Sequence, residues 1–294
     1  MNMGKKSYFF LLIFMGVFLL LTTLSCQKKQ VEISPEVASS DESLYKLGAQ
    51  YLDKDPEKAR LYFRQVIDSF PKSFYAQRAK LAIADSYFKQ GDEGSMIIAA
   101  SEYREFISLY PYSPSAAYAQ YQIAMTYYKK ALKPGRDQTK TRQALEEFKK
   151  VITNYPNSEE AKMAQENIKD CEERLAKHVL SIGELYYKMG SHKAAVSRLL
   201  DIVTAYPNFS EMDKVYFYLG DAYFKSRSYE QAIPYLTKLI TDYPKSKFAK
   251  KAQERIKQIE KVKKKEDATI ASFLPKRDRY SLQLGESRAK IKAT

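Results

Sequence analysis

Five pairs of an aromatic residue followed by proline punctuate the chain at similar intervals, and they constrain the fold more than any other feature. The pairs are Phe70-Pro71, Tyr110-Pro111, Tyr155-Pro156, Tyr206-Pro207 and Tyr243-Pro244. Because proline lacks the backbone N–H that continues a helix, each pair is expected to end a helix and turn the chain. A recurring interval of this length is typical of stacked helical units.

The last interval shows the repeated unit most clearly. One face of a first helix is formed by Tyr216, Leu219, Gly220 and Tyr223, and one face of a second by Ala232, Leu236 and Leu239, ahead of Pro244. This spacing matches the tetratricopeptide pattern, with Tyr216 in place of its Trp and Leu236 in place of its Phe. Pro234 falls inside the second helix and is expected to kink it.

The other four intervals carry the same pattern with turns of different length. The matching positions are Leu44, Leu47, Gly48, Tyr51, Ala59 and Phe63; Ile83, Ala84, Tyr87, Ala99 and Tyr103; Ile123, Ala124, Tyr127, Ala144 and Phe148; and Val179, Ile182, Gly183, Tyr186, Ala195 and Leu199. One helix pair leaves a face bare, so neighbouring pairs must stack. The predicted fold is all-α, a right-handed superhelix of five tetratricopeptide repeats with a C-terminal capping helix. An irregular helical bundle would not explain five units in register.

Two helices and a tail are predicted outside the repeat pattern. The helical pattern from Glu159 to Met189 contains no breaker, which predicts one long helix leading into the fourth repeat. Ala249 to Val262 is expected to form the capping helix, and a flexible tail is expected from about Phe273. Residues 247–294 contain 15 Lys or Arg and 6 Asp or Glu residues, a net charge of +9 out of the chain's +14. Either this charge is merely solvated, or it contacts anionic lipid or an acidic partner.

The N-terminus has the organisation of a bacterial lipoprotein signal peptide. Lys5 and Lys6 precede an apolar run from Tyr8 to Leu21, and small residues lead to Cys26. The run is shorter than the roughly 20 residues of a membrane-spanning helix. Cleavage before Cys26 and lipidation of its thiol are therefore predicted, with an uncleaved anchor as the alternative. Gln27 is not the Asp that retains lipoproteins in the inner membrane, so the predicted location is the outer membrane, with the chain on its periplasmic face.

The sequence carries no recognisable catalytic or metal-binding constellation. Its two histidines, His178 and His192, belong to no zinc motif, and Cys171 is the only cysteine besides Cys26. Gly-rich phosphate loops and a nucleophile elbow are also missing. These features predict a protein that is not an enzyme and needs no cofactor or metal. Since an exported chain does not meet chromosomal DNA, its basic charge does not indicate nucleic-acid binding.

A lipoprotein signal followed by five such repeats resembles the BamD family, which serves the machine that inserts β-barrels into the bacterial outer membrane. The resemblance covers about Glu42 to Ile256. Its most specific residues are Arg136-Asp137-Gln138-Thr139, Ala144-Leu145-Glu146-Glu147-Phe148, Tyr155-Pro156-Asn157-Ser158, Arg174-Leu175-Ala176-Lys177-His178 and Tyr186-Tyr187-Lys188-Met189-Gly190. The basic tail is not expected from the family pattern.

The resemblance implies a periplasmic scaffold that docks on the barrel-forming BamA subunit, joins other machine subunits and contacts unfolded outer-membrane proteins. The implied plan is a signal peptide at 1–25, a lipidated linker at 26–41, substrate-side repeats one to three at 42–158, docking-side repeats four and five at 159–246, and a basic capping helix with a flexible tail at 247–294. An exported adaptor for cell-envelope division or pilus assembly is the alternative. The lipid cysteine and the lack of heptads before Glu42 argue against it.

A row of aromatic residues suggests a peptide-binding groove. In each repeat, the residue after the motif tyrosine is expected to point into the groove, while the motif tyrosine takes the buried side. These residues are Leu52, Phe88, Tyr128, Tyr187 and Phe224. The predicted peptide-binding set is Tyr45, Phe88, Tyr118, Tyr121 and Tyr128. It would suit the aromatic residue and free carboxylate that end an outer-membrane β-barrel. The alternative is that such tyrosines are simply common in a chain with 24 of them.

Overall fold

The computed structural model describes residues 40–273, and these form α-helices joined by short turns with no strand among them. The helices are α1 Asp41–Tyr51, α2 Pro56–Ser69, α3 Phe74–Gln90, α4 Glu93–Leu109, α5 Ala116–Tyr128, α6 Thr139–Asn154, α7 Glu159–Lys188, α8 His192–Ala205, α9 Met212–Lys225, α10 Tyr229–Asp242 and α11 Ala249–Phe273. The prediction of an all-α fold is confirmed. The predicted signal peptide, Cys26 and the tail after Phe273 lie outside the described residues.

The described chain divides into two compact units, one ending at Glu102 and the other beginning at Tyr103, within α4. In the first unit, α1 packs on α2 around the buried residues Leu44, Phe63 and Val66. In the second unit, α5 packs on α6, α7 on α8 and α9 on α10. Its core consists of one cluster around Phe148 and a larger one that reaches from α7 to α11.

Side-chain caps define where several helices begin. The side chains of Ser40, Asp55, Ser73 and Ser158 each accept a hydrogen bond from the backbone N–H three residues later, at the start of α1, α2, α3 and α7. Each such bond satisfies a donor that has no partner inside the helix. Pro56, at the first position of α2, loses nothing, because its missing N–H would be unpaired there.

Glycine sits where the two helices of a repeat come closest. A Cβ atom on Gly48 would lie 2.7 Å from the ring of Phe63, and one on Gly220 would lie 2.6 Å from Leu236. The corresponding distance from Gly183 to Leu199 is 2.9 Å. Ordinary Cβ contacts are longer, so these positions exclude any larger side chain without movement of the partner helix.

The long helix α7 confirms the prediction of an unbroken segment after Glu159. Cys171 lies at its centre, is fully buried beside Leu175, and is the free cysteine of the described chain. Burial raises the pKa of its thiol to about 12. Helix α10 runs as one element through Pro234.

The capping helix is longer than predicted, since α11 continues beyond Val262 to Phe273. A buried carboxylate fastens it to the repeats. Asp221 on α9 is 1% exposed and accepts hydrogen bonds from the Tyr187 hydroxyl and from Nε–H of Arg255 on α11. The Nζ of Lys225 lies 3.7 Å from the same carboxylate. This side chain therefore joins α7, α9 and α11 through charge-assisted bonds.

Candidate peptide-binding surface

Four side chains of the first unit form an aromatic and cationic cluster, called here the Arg78 cluster. It consists of Tyr45 on α1 and Phe74, Tyr75 and Arg78 on α3. The Arg78 guanidinium lies 4.8 Å from the ring centre of Tyr45, 5.7 Å from that of Phe74 and 5.8 Å from that of Tyr75. The Tyr45 and Tyr75 ring centres are 5.5 Å apart. Aromatic faces attract cations at such distances and hold the guanidinium in place.

Phe74 and Arg78 are open to solvent, whereas Tyr45 and Tyr75 are partly buried and Tyr75 is hydrogen-bonded to the Glu42 carboxylate. Phe74 is 67% exposed, and Arg78 is exposed and forms no ion pair with any side chain of residues 40–273. The Tyr45 ring, in contrast, also packs on the buried Phe63 at 5.4 Å. A guanidinium held by its face keeps its edge donors available, which suits a planar carboxylate.

The predicted groove residues Tyr121 and Tyr128 have a different environment in the second unit. Their ring centres lie 5.5 and 5.8 Å from that of the fully buried Phe148. The Tyr121 hydroxyl donates to Asn167 at 3.0 Å, and the Tyr128 hydroxyl donates to Asp170 at 2.8 Å. Burial, and then the bond to Asp170, raise the pKa of Tyr128. Both rings thus contact the core and are fastened to α7 by their hydroxyls.

In the third repeat, the motif tyrosine Tyr127 is not the only aromatic residue that packs against the core. Tyr127 remains partly exposed, and its hydroxyl accepts a hydrogen bond from Arg104 at 3.0 Å. The sequence argument that the motif tyrosine alone takes the core side is therefore wrong for this repeat. The reason is that α7 covers the side of α5 that carries Tyr121 and Tyr128.

The remaining predicted residues are distributed over both units. Phe88 is partly buried on α3, and Tyr118 makes an edge contact with the buried Tyr103 at 6.4 Å. Phe148 brings Tyr121 and Tyr128 together, and Tyr45 belongs to the Arg78 cluster. Sequence reasoning missed Phe74 and Arg78. The available signal was an aromatic pair followed by Arg one helical turn later, directly after the cap Ser73.

A cleft of about 540 Å³ lies in the second unit, between the middle of α7 and the turn after α8. It is lined by Glu166, Lys169, Asp170, Glu172, Glu173, Tyr206, Pro207, Asn208 and Phe209. Glu173 is engaged by Ser210 and Lys177, and Asp170 by Tyr128 and Arg174. Glu172 is partly buried and forms no ion pair within residues 40–273. The cleft therefore combines four acidic side chains and one lysine from α7 with the rings of Tyr206 and Phe209.

Neither a metal centre nor a membrane span is found in the described part of the chain. No group of three or more His, Cys, Asp or Glu side chains in residues 40–273 is arranged to hold a metal ion. Among the same residues, no helix is both long and apolar enough to cross a membrane.

The part of the chain that is similar to known proteins is the repeat region. The family model of YfiO, described as an outer membrane lipoprotein, matches residues 37–228, and a tetratricopeptide-repeat model matches residues 214–246. The chain is 34% identical to the outer membrane protein assembly factor BamD of Caulobacter vibrioides, over 60% of this chain and 58% of that protein. It is 29% identical to the protein of the same name from Rickettsia prowazekii, over 60% of this chain and 70% of that one.

These relatives are matched over part of their length only. The chain spans 58% of the Caulobacter protein, which is less than two thirds. Among solved structures, the TPR2AB domain of yeast Sti1 in its pHSP90 complex matches 87% of this chain and 96% of its own at 15% identity, with a TM-score of 0.40.

Proposed function

This chain belongs to the YfiO family of outer membrane lipoproteins, and we propose that it is a lipid-anchored assembly factor for outer-membrane β-barrel proteins. The names of its relatives in Caulobacter vibrioides and Rickettsia prowazekii support this role. The anchor would be the lipidated Cys26, with the repeats in the periplasm. On this proposal, the protein works by binding other proteins and carries out no reaction.

The first part of the proposal is that the repeats bind the C-terminal segment of an unfolded barrel protein. The observation that carries it is the Arg78 cluster, where an exposed guanidinium without an acidic partner lies beside an exposed phenyl ring. A peptide that ends in an aromatic residue offers both a ring for Phe74 and a carboxylate for Arg78. Tyr45, Phe88, Tyr118, Tyr121 and Tyr128 remain proposed contacts.

Peptide binding is tested better at Phe74 and Arg78 than at Tyr121 and Tyr128. Both tyrosine rings pack on Phe148, so alanine there would remove core contacts as well as any peptide contact. Phe74→Ser with Arg78→Gln is expected to weaken binding of a peptide with a C-terminal aromatic residue by about tenfold or more, since an anchor of this kind is worth roughly 2 kcal/mol. Fluorescence anisotropy with the labelled peptide measures the change.

A matched control variant tests whether the effect is specific to the Arg78 cluster, and an amidated peptide tests whether the Arg78 guanidinium binds the carboxylate. Leu61→Ser with Arg64→Gln changes an exposed apolar and basic pair on α2 and should leave peptide affinity unchanged. Amidation removes the negative charge of the peptide's C-terminus and should weaken its binding to the parent chain. The Arg78→Gln variant should bind the amidated and the free-acid peptide equally well. Equal losses on amidation in both chains would show that Arg78 does not bind the carboxylate.

The second part of the proposal is that residues 159–246 dock on the barrel-forming BamA subunit. The support is the family and the cleft beside α7, which is concave and has one acidic side chain without an ion pair. A truncation near Ser158 is not a clean test, because Cys171 and Leu175 complete the core around Phe148. A single charge reversal in the cleft leaves that core in place.

Glu172→Arg is expected to lower co-purification of the barrel-forming subunit by about tenfold or more, because a like charge facing a basic partner costs roughly several kcal/mol. Glu160→Arg is the control, since Glu160 lies partly exposed on the same helix, outside the cleft and without an ion pair in the described chain. Quantitative pull-down from detergent-solubilised outer membrane compares the two. Full recovery of the subunit with Glu172→Arg would place docking elsewhere.

A further inference from the structure

The outer face of the capping helix α11 carries a row of lysines. Its inner face packs on α9 and α10 through Ala252, Ile259 and their partly buried neighbours Ile256 and Val262. At 100° per residue the opposite face consists mainly of exposed lysines. This lysine stripe consists of Lys250, Lys257, Lys261, Lys264 and Lys265.

The lysine stripe is not neutralised by the protein itself. In residues 40–273 none of its five members forms an ion pair, whereas Lys263 on the inner side pairs with Glu230. Lysines on the long helix α7 behave differently. There, Lys162, Lys169 and Lys177 each pair with a glutamate three or four residues earlier. The five lysines are therefore unpaired within the described chain, although the exposed Glu254 lies on the same face of α11 and lowers its net charge.

The shape and chemistry of the stripe favour a flat anionic partner. Lys250 and Lys264 are 14 residues apart, which corresponds to about 21 Å along a helix. Lysine is a flexible point charge, whereas protein interfaces are enriched in aromatic residues and arginine. Between residues 249 and 269 the exposed face of α11 offers neither, and Ala252, Ile256 and Ile259 are used against α9 and α10.

The two matched family models do not reach this helix. The two family matches end at residues 228 and 246, before α11 begins at Ala249. The capping role explains the inner face, but it places no requirement on the charge of the outer face. The charge of the outer face is therefore a feature of this chain that neither the matched family models nor the capping role explains.

We propose that the lysine stripe binds the surface of a bilayer that contains anionic phospholipids. The proposal rests on the proposed lipid anchor, because the anchor would hold α11 near the bilayer at a high effective concentration. Binding is electrostatic, through phosphate groups, and no side chain needs to enter the hydrocarbon. Each lysine near an anionic surface contributes about a fivefold gain in binding, and the attraction weakens as salt shortens the screening length.

Energy transfer between α11 and the bilayer tests the proposal in the full lipidated chain. Gln253→Cys introduces an exposed thiol beside the stripe, while Cys171 is buried with its thiol pKa at about 12 and stays unlabelled. A donor on residue 253 is paired with acceptors on lipid head groups. Transfer should rise when part of the phosphatidylcholine is replaced by phosphatidylglycerol, and it should fall again at about 1 M salt, where the screening length is about 3 Å.

Two variants of equal net charge decide whether the stripe is responsible. Lys250→Gln, Lys257→Gln, Lys261→Gln and Lys264→Gln together should abolish the rise in transfer. Four exposed lysines scattered over other helices and turns, changed by Lys54→Gln, Lys72→Gln, Lys149→Gln and Lys193→Gln, should leave it intact.

Three outcomes would overturn the proposal. They are equal transfer in both kinds of vesicle, equal loss in both variants, and crosslinking from residue 253 to an acidic envelope protein without a lipid response. The proposed anchor is judged separately, by whether the chain stays with the vesicles at high salt. A chain that stays anchored but shows no lipid-dependent transfer contradicts the stripe alone.

Discussion

Asp221→Ala is expected to lower the free energy of unfolding by about 3 kcal/mol, because a buried carboxylate loses two hydrogen bonds while Arg255 stays partly solvated. The change leaves the Arg255 guanidinium without its carboxylate and removes the acceptor of the Tyr187 hydroxyl. Since these groups lie on α7, α9 and α11, the end of the second unit should loosen first. Urea unfolding followed by circular dichroism measures the change.

Asp201→Ala is the matched control for this change. Its side chain is 54% exposed, and its ion pair with Arg198 has an N–O distance of 3.6 Å. Exposed pairs of this kind contribute at most about 1 kcal/mol. If Asp221→Ala proved as mild as Asp201→Ala, the three-helix contact at Asp221 would not stabilise the fold.

Gly220→Val is expected to destabilise the chain by about 3 kcal/mol, near the upper end for overpacking a filled core. The first added carbon would already lie 2.6 Å from Leu236, which is fully buried between α9 and α10. Two further methyl groups would push α9 and α10 apart. The same urea titration measures this effect.

Gly135→Val supplies the comparison. Gly135 lies in the exposed turn between α5 and α6, and a Cβ atom there would meet nothing within 4 Å. Its substitution should change stability by less than about 0.5 kcal/mol, as surface changes usually do. Similar losses at both glycines would mean that close packing at Gly220 is not the cause.

Much of the fold follows from local sequence rules. Gly220 and Leu236 occupy positions that a helix pair needs for close contact, and Pro244 follows the helix that it was expected to end. The long helix α7 was predictable because no breaker occurs after Glu159. The end of the capping helix could not be predicted in this way. The apolar periodicity stops near Val262, but the lysine-rich segment after it has a good helix propensity and continues the helix.

The candidate binding surface was harder to predict than the helices. Helical spacing correctly placed Tyr121 and Tyr128 on one face of α5, but it could not show that α7 covers that face and offers Asn167 and Asp170 to the hydroxyls. In the same way, the spacing of Phe74 within α3 did not show that 67% of its side chain is exposed. Periodicity gives the direction of a side chain within its own helix, while burial depends on contacts distant in sequence.

The burial of Cys171 protects the folded chain from thiol exchange in the periplasm, where the proposed function places it. Only a thiolate attacks a disulfide, and a thiol with a pKa of about 12 is almost entirely protonated near neutral pH. Once α5, α6 and α7 have packed around it, the sulfur cannot enter a mixed disulfide with another secreted protein. Cys171 is the one cysteine of residues 40–273, so this part of the chain contains no disulfide whose formation would need an oxidant.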